Sequence, residues 1–453
     1  MFVGPIPESL TSLSPPVRVL FVFQNLSAWS ITYTVGLGAW LLTGAIAFWG
    51  LLKLRRRWLD RPRARKIVHA GLGLWMLLAM LTLPEIACAL FYDQTDAFSQ
   101  TNVSRRWFKL HVEPNRDGFR DDRPLPVSRK PNQQSIVFVG DSFTFGHGVK
   151  NPADRFTDRL RAHWDRERPE RVLVSNASLP GTDIRMLADT LVADLYRESR
   201  PIDLMVYVFV PNDIEYCDDR TAHHVESLAA MEPRGWLFCD TYFYNLLWYR
   251  WQSLSRPEGT DYYGYLKGAY TSEPWPRFTT ELDQLRETCK YRGTRLAIVA
   301  FPFLHDLGTE DSFSVAHEQL GKYCQTHDTP FLDLRAALAP HVNEGLVVNR
   351  FDSHPNSLAH ELAAAALAPW LETLLEQPNP ALHFPTLRGR GKGRVSYPLR
   401  RSKHVSEVQE VSGPHEVRIV HEARHWASNV YVAVQAGGRG AGRARGGVGG
   451  GGE

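Results

Sequence analysis

Two long apolar runs constrain this chain more than any other feature. Residues 19–52 contain no Asp, Glu, Lys or Arg, and within them 29–52 is a mostly apolar stretch with small residues and flanking tryptophans. A second run, 67–92, is interrupted only by His69, Pro84 and Glu85. A hydrocarbon core of ~30 Å needs about 20 helical residues at ~1.5 Å each, so each run is long enough to cross one. Both are too long and too uncharged for ordinary buried core helices. A cleavable signal peptide would carry its basic residues ahead of the first run, whereas here they follow it. The reading is a transmembrane hairpin over 29–92, preceded by an N-terminal segment, 1–28.

Charge orients the hairpin. The loop 53–66 (KLRRRWLDRPRARK) holds eight Lys/Arg against one Asp. Basic loops stay on the cytoplasmic side. The outer flanks hold little basic charge: Arg18 before the first run, and none from 67 to 104. The loop is therefore expected in the cytoplasm, with everything after residue 92 outside the cytoplasmic (inner) membrane. The formal net charge of +3 conceals an uneven distribution. The tail 388–453 has twelve Lys/Arg against five Glu, and the stretch 67–387 carries about −11. An acidic body argues against a nucleic-acid-binding main domain.

Residues 93–131 are polar, with scattered Pro and Arg, and read as a linker containing RDGFR at 116–120. Strand and helix signals then alternate. Strands are expected at 135–140, 171–178, 203–210, 294–301 and 330–334, and helices at 154–167, 184–198, 278–291, 314–327 and 357–376. This alternation implies an α/β domain over 132–377, a parallel sheet with helices on both faces. An aromatic, irregular insertion at about 214–277 interrupts it and is expected near the active-site face, its rings packing on the body or meeting a ligand. From 378 to 453 the chain is Gly/Arg-rich and is expected to be disordered. An RNA-binding role for that tail does not suit an extracytoplasmic location. The five cysteines allow two bridges, Cys289–Cys324 and Cys217–Cys239, or five free thiols.

The chemistry-bearing residues fall at the carboxyl ends of the expected strands, where open α/β sheets bind ligands. The first strand runs into GDSFTFGHG (140–148), which puts Ser142 at the mouth of a helix, whose N-terminus favours developing negative charge. The second ends in NASLPGTD (176–183), where Gly181 can present a bare backbone N–H. The third ends in VPNDI (210–214), where Asn212 can offer a side-chain N–H. With the Ser142 N–H these make three donors for an acyl-transfer oxyanion. FDSHPNSLAH (351–360) precedes the last helix. There His354 is the candidate base and Asp352 its orienting acid. Asp213 is read as structural. His223–His224 lacks further spaced ligands, so no metal and no cofactor are expected.

These four blocks, in this order and at these strand ends, resemble the SGNH (GDSL-like) hydrolase superfamily over roughly 132–377. RDGFR followed by GDSFTFG resembles a membrane-attached bacterial subgroup. The resemblance implies a flavodoxin-like three-layer α/β/α sandwich acting on esters or acyl groups. It also implies Ser142 as nucleophile, Gly181 and Asn212 as oxyanion donors, and His354 as base. Two positions depart from the pattern. Val210 stands where the third block has Gly. The fourth block is usually Asp-x-x-His, but here the acid lies two residues before the histidine. The expectation is a membrane-tethered extracytoplasmic serine esterase acting on acylated envelope glycans or lipids. Two rivals remain open: a polysaccharide O-acetyltransferase working with a membrane acyl-donor partner, and a catalytically inactive binding or assembly protein.

Overall fold

The computed structural model describes residues 24–58, 60–197, 200–219, 231–255, 262–308 and 313–377. The start of the N-terminal segment, the His223–His224 pair and the Gly/Arg-rich tail lie outside the described residues.

Five parallel strands form the central sheet: β1 (Gln134–Gly140), β2 (Val172–Asn176), β3 (Leu204–Phe209), β4 (Arg295–Ala300) and β5 (Phe331–Asp333). Their order is β2-β1-β3-β4-β5. Strands β1 and β3 are buried on both faces, which is why they read as continuous apolar runs rather than alternating ones. Helices Phe156–Glu167 and Ser357–Glu376 share one face, where the Phe156 ring stacks on His360 at 5.6 Å. The helical stretch 184–197 packs on the opposite face with helices Pro274–Arg292 and Ser314–Thr326. Gln284 donates to Asp189, tying the stretch to helix Pro274–Arg292, and Tyr323 donates to Asp283, tying the two helices to each other, both at 2.7 Å. The result is a three-layer α/β/α sandwich with a flavodoxin-like strand order. Its winding direction reverses between β1 and β3, and sheets of this kind bind ligands at the carboxyl ends beside such a reversal.

Ahead of the sandwich stand two long helices, Ile31–Arg57 and Pro62–Phe91. They pair through a Phe48–Trp75 stack at 4.3 Å and a Trp75 Nε1–H bond to the Gly44 carbonyl at 2.8 Å. Tyr33, Leu37, Cys88 and Ala89 pack in a small cluster with Val103 and Tyr242, while many of the other large apolar side chains face outward, Trp49 and Met80 being 60% and 68% exposed. The basic cluster is mostly helical rather than a loop. Arg55, Arg56 and Arg57 fill the last turn of the first helix, where cations meet the negative end of its dipole, and Pro62 opens the second.

The stretch 93–131 is not a loose linker. Thr101 caps a helix, Asn102–His111, whose Val103, Trp107 and Phe108 are buried. Arg106 on that helix donates to the carbonyls of Cys88, Ala89 and Tyr92 at the end of the second long helix, where the last carbonyls lack helical partners. Arg120, 2% exposed, donates to the carbonyls of His111, Gly146 and Val149. The segment looked like a linker because its few buried apolar residues are scattered among buried polar side chains that satisfy backbone groups, which hydropathy does not register.

Within the insertion, helices Trp236–Cys239 and Phe243–Ser255 clasp the long hairpin, while Tyr262–Ala269 enters the main core through Leu266, Ala269 and Tyr270. All five cysteines are free thiols, so neither conceivable bridge forms. Cys289 instead lies under the sheet, its Sγ 3.7 Å from the Met205 sulfur.

Candidate active site

The turn after β1 is tight. A Cβ on Gly140 would lie 2.5 Å from Thr144 Oγ1 and 2.9 Å from the Val208 carbonyl, so only glycine fits between them. Asp141 then caps a short helix, Ser142–Phe145, by accepting the Phe143 N–H at 2.9 Å. Ser142 sits at the first helical position, half-buried at the carboxyl edge of the sheet.

Asp352 and His354 lie on β7 (Asp352–Pro355), which pairs antiparallel with β6 (Val347–Asn349). This ribbon is invisible in the sequence, being only three and four residues long without alternating hydropathy. It explains the two-residue spacing of acid and base. Alternate side chains of an extended strand point to the same side, so Asp352 and His354 meet directly. His354 Nδ1 is 2.5 Å from Asp352 Oδ1, and His354 Nε2 is 2.7 Å from Ser142 Oγ. A carboxylate can only accept, so Nδ1 carries the proton and Nε2 is left to accept from the serine hydroxyl.

Neighbours hold this relay. Asp352, 1% exposed, also accepts from the His354 N–H at 3.1 Å and from the Thr95 hydroxyl. His147 stacks on His354 with ring centroids 4.1 Å apart, and its Nε2 lies 3.4 Å from Asp352 Oδ2 and 3.1 Å from the Asp96 carbonyl oxygen. Trp107 and Phe108, from the stretch expected to be a linker, back His147. Burial raises the Asp352 pKa, but the two imidazoles outweigh it and hold the carboxyl well below its usual range. Burial lowers the His354 pKa, and the Asp352 carboxylate more than offsets this, leaving it raised. His147 is lowered, by burial first and by His354 second.

Of the expected oxyanion donors, Asn212 is tied directly to the turn that carries Ser142. Asp141 Oδ2 lies 3.4 Å from both Ser142 Oγ and Asn212 Nδ2, which ties the ends of β1 and β3 together. The Leu179 N–H donates to the Gly140 carbonyl at 3.2 Å, which binds the loop after β2 to the same edge. Gly181 is in that loop, exposed, at φ +73°, a conformation that glycine adopts without strain. No hydrogen bond joins Gly181 to Ser142 or Asn212 among the described residues. Asp213 is structural, accepting from the Tyr207 hydroxyl at 2.6 Å and the Val210 N–H at 3.1 Å. Val210 itself is fully buried, so the third turn is held by packing and by Asp213.

Sequence reading missed Thr95, Asp141 and His147. His147 could have been found, since it lies in the same Gly-rich block as Ser142. Thr95 is an isolated threonine 257 positions from its partner and leaves no local signal. His147, Asp352 and His354 have the residue types and proximity of a metal site. However, both nitrogens of His354 and both oxygens of Asp352 are already engaged in the hydrogen bonds above. The second acidic group, Asp121, Asp122 and Asp158, closes on Arg161.

No family model matches this chain, and no curated protein matches it. Among solved structures it is similar to a two-domain esterase active on acetylated mannans, at 17% identity over 55% of this chain and 51% of that one, with a TM-score of 0.31. It is also similar to a member of the lipolytic G-D-S-L family from Veillonella parvula, at 16% identity over 54% and 100% of the two chains, with a TM-score of 0.33. An acetyl xylan esterase aligns at 14% identity over 51% and 97%, with a TM-score of 0.31. The chain spans about half the length of the two-domain esterase in either of its structures.

Proposed function

We propose that this chain is a membrane-anchored, extracytoplasmic serine esterase of the SGNH type, with acylated envelope glycans or lipids as its substrate class. The observation that carries the reading is the hydrogen-bonded series Ser142–His354–Asp352, at 2.7 and 2.5 Å, on the carboxyl edge of a parallel sheet. The two departing blocks favoured an inactive protein. The aligned series favours catalysis, because a proton path of this geometry has no structural purpose that a simpler core contact would not serve.

In this reading Ser142 Oγ attacks the ester carbonyl while His354 Nε2 takes its proton. Negative charge on the carbonyl oxygen is met by the N–H groups of Ser142, Gly181 and Asn212. The C–O bond to the alcohol breaks as His354 returns the proton to the leaving oxygen. Water then attacks the acyl-Ser142 ester, losing a proton to His354, and the acid departs as Ser142 regains its hydrogen. Asp352 holds the ring in the required tautomer and stabilises its transient positive charge. The exposed apolar hairpin with its basic cluster supports the anchor and the outward orientation.

The full chain in detergent micelles is expected to hydrolyse p-nitrophenyl acetate and to take up a fluorophosphonate on Ser142, read by peptide mass spectrometry. Absence of both, or labelling elsewhere, sinks the assignment. The whole chain is needed because the stretch 93–131 bonds both to the hairpin and to the site. Asn212→Ala is expected to lower kcat by about 10²–10³-fold with little change in KM, as for loss of one oxyanion donor. An effect confined to KM would remove Asn212 from that role.

A further inference from the structure

The insertion carries an apolar surface that the catalytic series does not use. Helix Phe243–Ser255 buries Asn245 and Tyr249 toward the body. Its opposite side presents Leu247, Trp251 and Leu254 at 37%, 67% and 79% exposure. Their spacing of four and three residues puts them on one helical face. Beside it, helix Trp236–Cys239 exposes Trp236 and Leu237.

The contacts of these two helices fix their height along the hairpin. Glu85 of the second long helix accepts the N–H groups of Tyr242 and Phe243, each at 2.8 Å, and the Tyr244 hydroxyl donates to the Leu81 carbonyl at 2.7 Å. Trp236 lies against the first long helix, its Nε1–H 3.5 Å from the Thr32 carbonyl and its ring over Gly36. Counted from the basic end at ~1.5 Å per residue, Glu85 is ~27 Å from Ile67, and Gly36 and Thr32 are ~25 and ~31 Å from Lys53. Both helices therefore give the same height, the far edge of a ~30 Å hydrocarbon core. Tryptophans are enriched at that boundary, and a helix with one apolar face lies in it.

We propose that Trp236, Leu237, Leu247, Trp251 and Leu254 form a lipid-contacting collar that seats the catalytic domain on the outer interface of the membrane its hairpin crosses. The occupant is phospholipid at the headgroup–acyl boundary, because the two helices that carry the patch are fastened to the hairpin at that height. The inference rests on the membrane-anchor reading. The collar also reaches the site: the Arg250 guanidinium, on the same helix, lies 3.3 Å from the centroid of the Phe351 ring, next to Asp352.

The test uses the full chain reconstituted in phosphatidylcholine vesicles bearing an alkyne-tagged acyl chain. A photoreactive benzoylphenylalanine is placed singly at Trp251, at Leu254 and, as a control, at Tyr291, which is 69% exposed on helix Pro274–Arg292. Resistance to carbonate extraction is scored in parallel. Carbonate-resistant chain with lipid adducts at least ~10-fold more abundant at 251 and 254 than at 291 is the expected result. Carbonate-resistant chain with equal labelling at all three, or with protein dimers in place of lipid adducts, overturns the collar and leaves the anchor intact. Carbonate-extractable chain overturns the anchor, and the collar falls with it.

Discussion

Ser142→Ala is expected to lower kcat/KM for p-nitrophenyl acetate by at least ~10⁴-fold and to abolish fluorophosphonate labelling, while the chain stays folded. Removing a serine nucleophile of this kind costs up to about 10⁶-fold in kcat, the residue left over coming from binding and the oxyanion site. Ten-thousandfold is about 5.4 kcal/mol of transition-state stabilisation. No neighbour can take over. Asp141 is buried, and its carboxylate is occupied by the Phe143 N–H and the Asn212 amide. Stability is expected to change by less than ~1 kcal/mol, because Ser142 is half-buried at the first position of a helix and alanine fits there. Thermal unfolding of wild type and variant in the same micelles separates loss of chemistry from loss of fold. Retained turnover would mean that another residue is the nucleophile.

Features that depend on apolar periodicity could be read from the chain directly. Strands β1 and β3 are continuous apolar runs because both faces are covered. The two long helices are legible for the same reason, their sequences being apolar on nearly every side. Features that depend on polar burial or on pairing could not be read. Arg106 and Arg120 look like surface arginines until the carbonyls they satisfy are known. The ribbon β6–β7 owes its existence to pairing between segments too short to carry a pattern. The spacing of Asp352 and His354 looked like a defect only because its backbone state was unknown. On a strand a spacing of two brings side chains together, whereas on a helix a spacing of three or four does so.

Asp352→Asn tests that geometry most sharply, and two signs are expected together. The rate at the optimum falls by about 10⁴-fold, as when the orienting acid of a Ser–His pair loses its charge. The cause is the tautomer. An amide can donate to Nδ1, which would move the ring proton to Nε2, where it faces Ser142 and cannot accept. The pH dependence moves as well. A base acts only when neutral, so kcat/KM rises with pH as His354 loses its proton. In the wild type the carboxylate outweighs burial, so the midpoint of that limb lies above the ordinary imidazole value of ~6.5. In the variant, burial continues to lower the pKa, and Asp141 and Asp96 remain only as minor opposing charges. The limb should therefore shift to lower pH while its height collapses. Thr95→Ala provides the graded control, since it removes one donor from Asp352 but leaves the charge. It should keep the limb near its wild-type position with a far smaller loss of rate. A limb that stays in place in Asp352→Asn would show that another charge sets the His354 pKa. A rate that survives would show that the serine works without an acid behind its base.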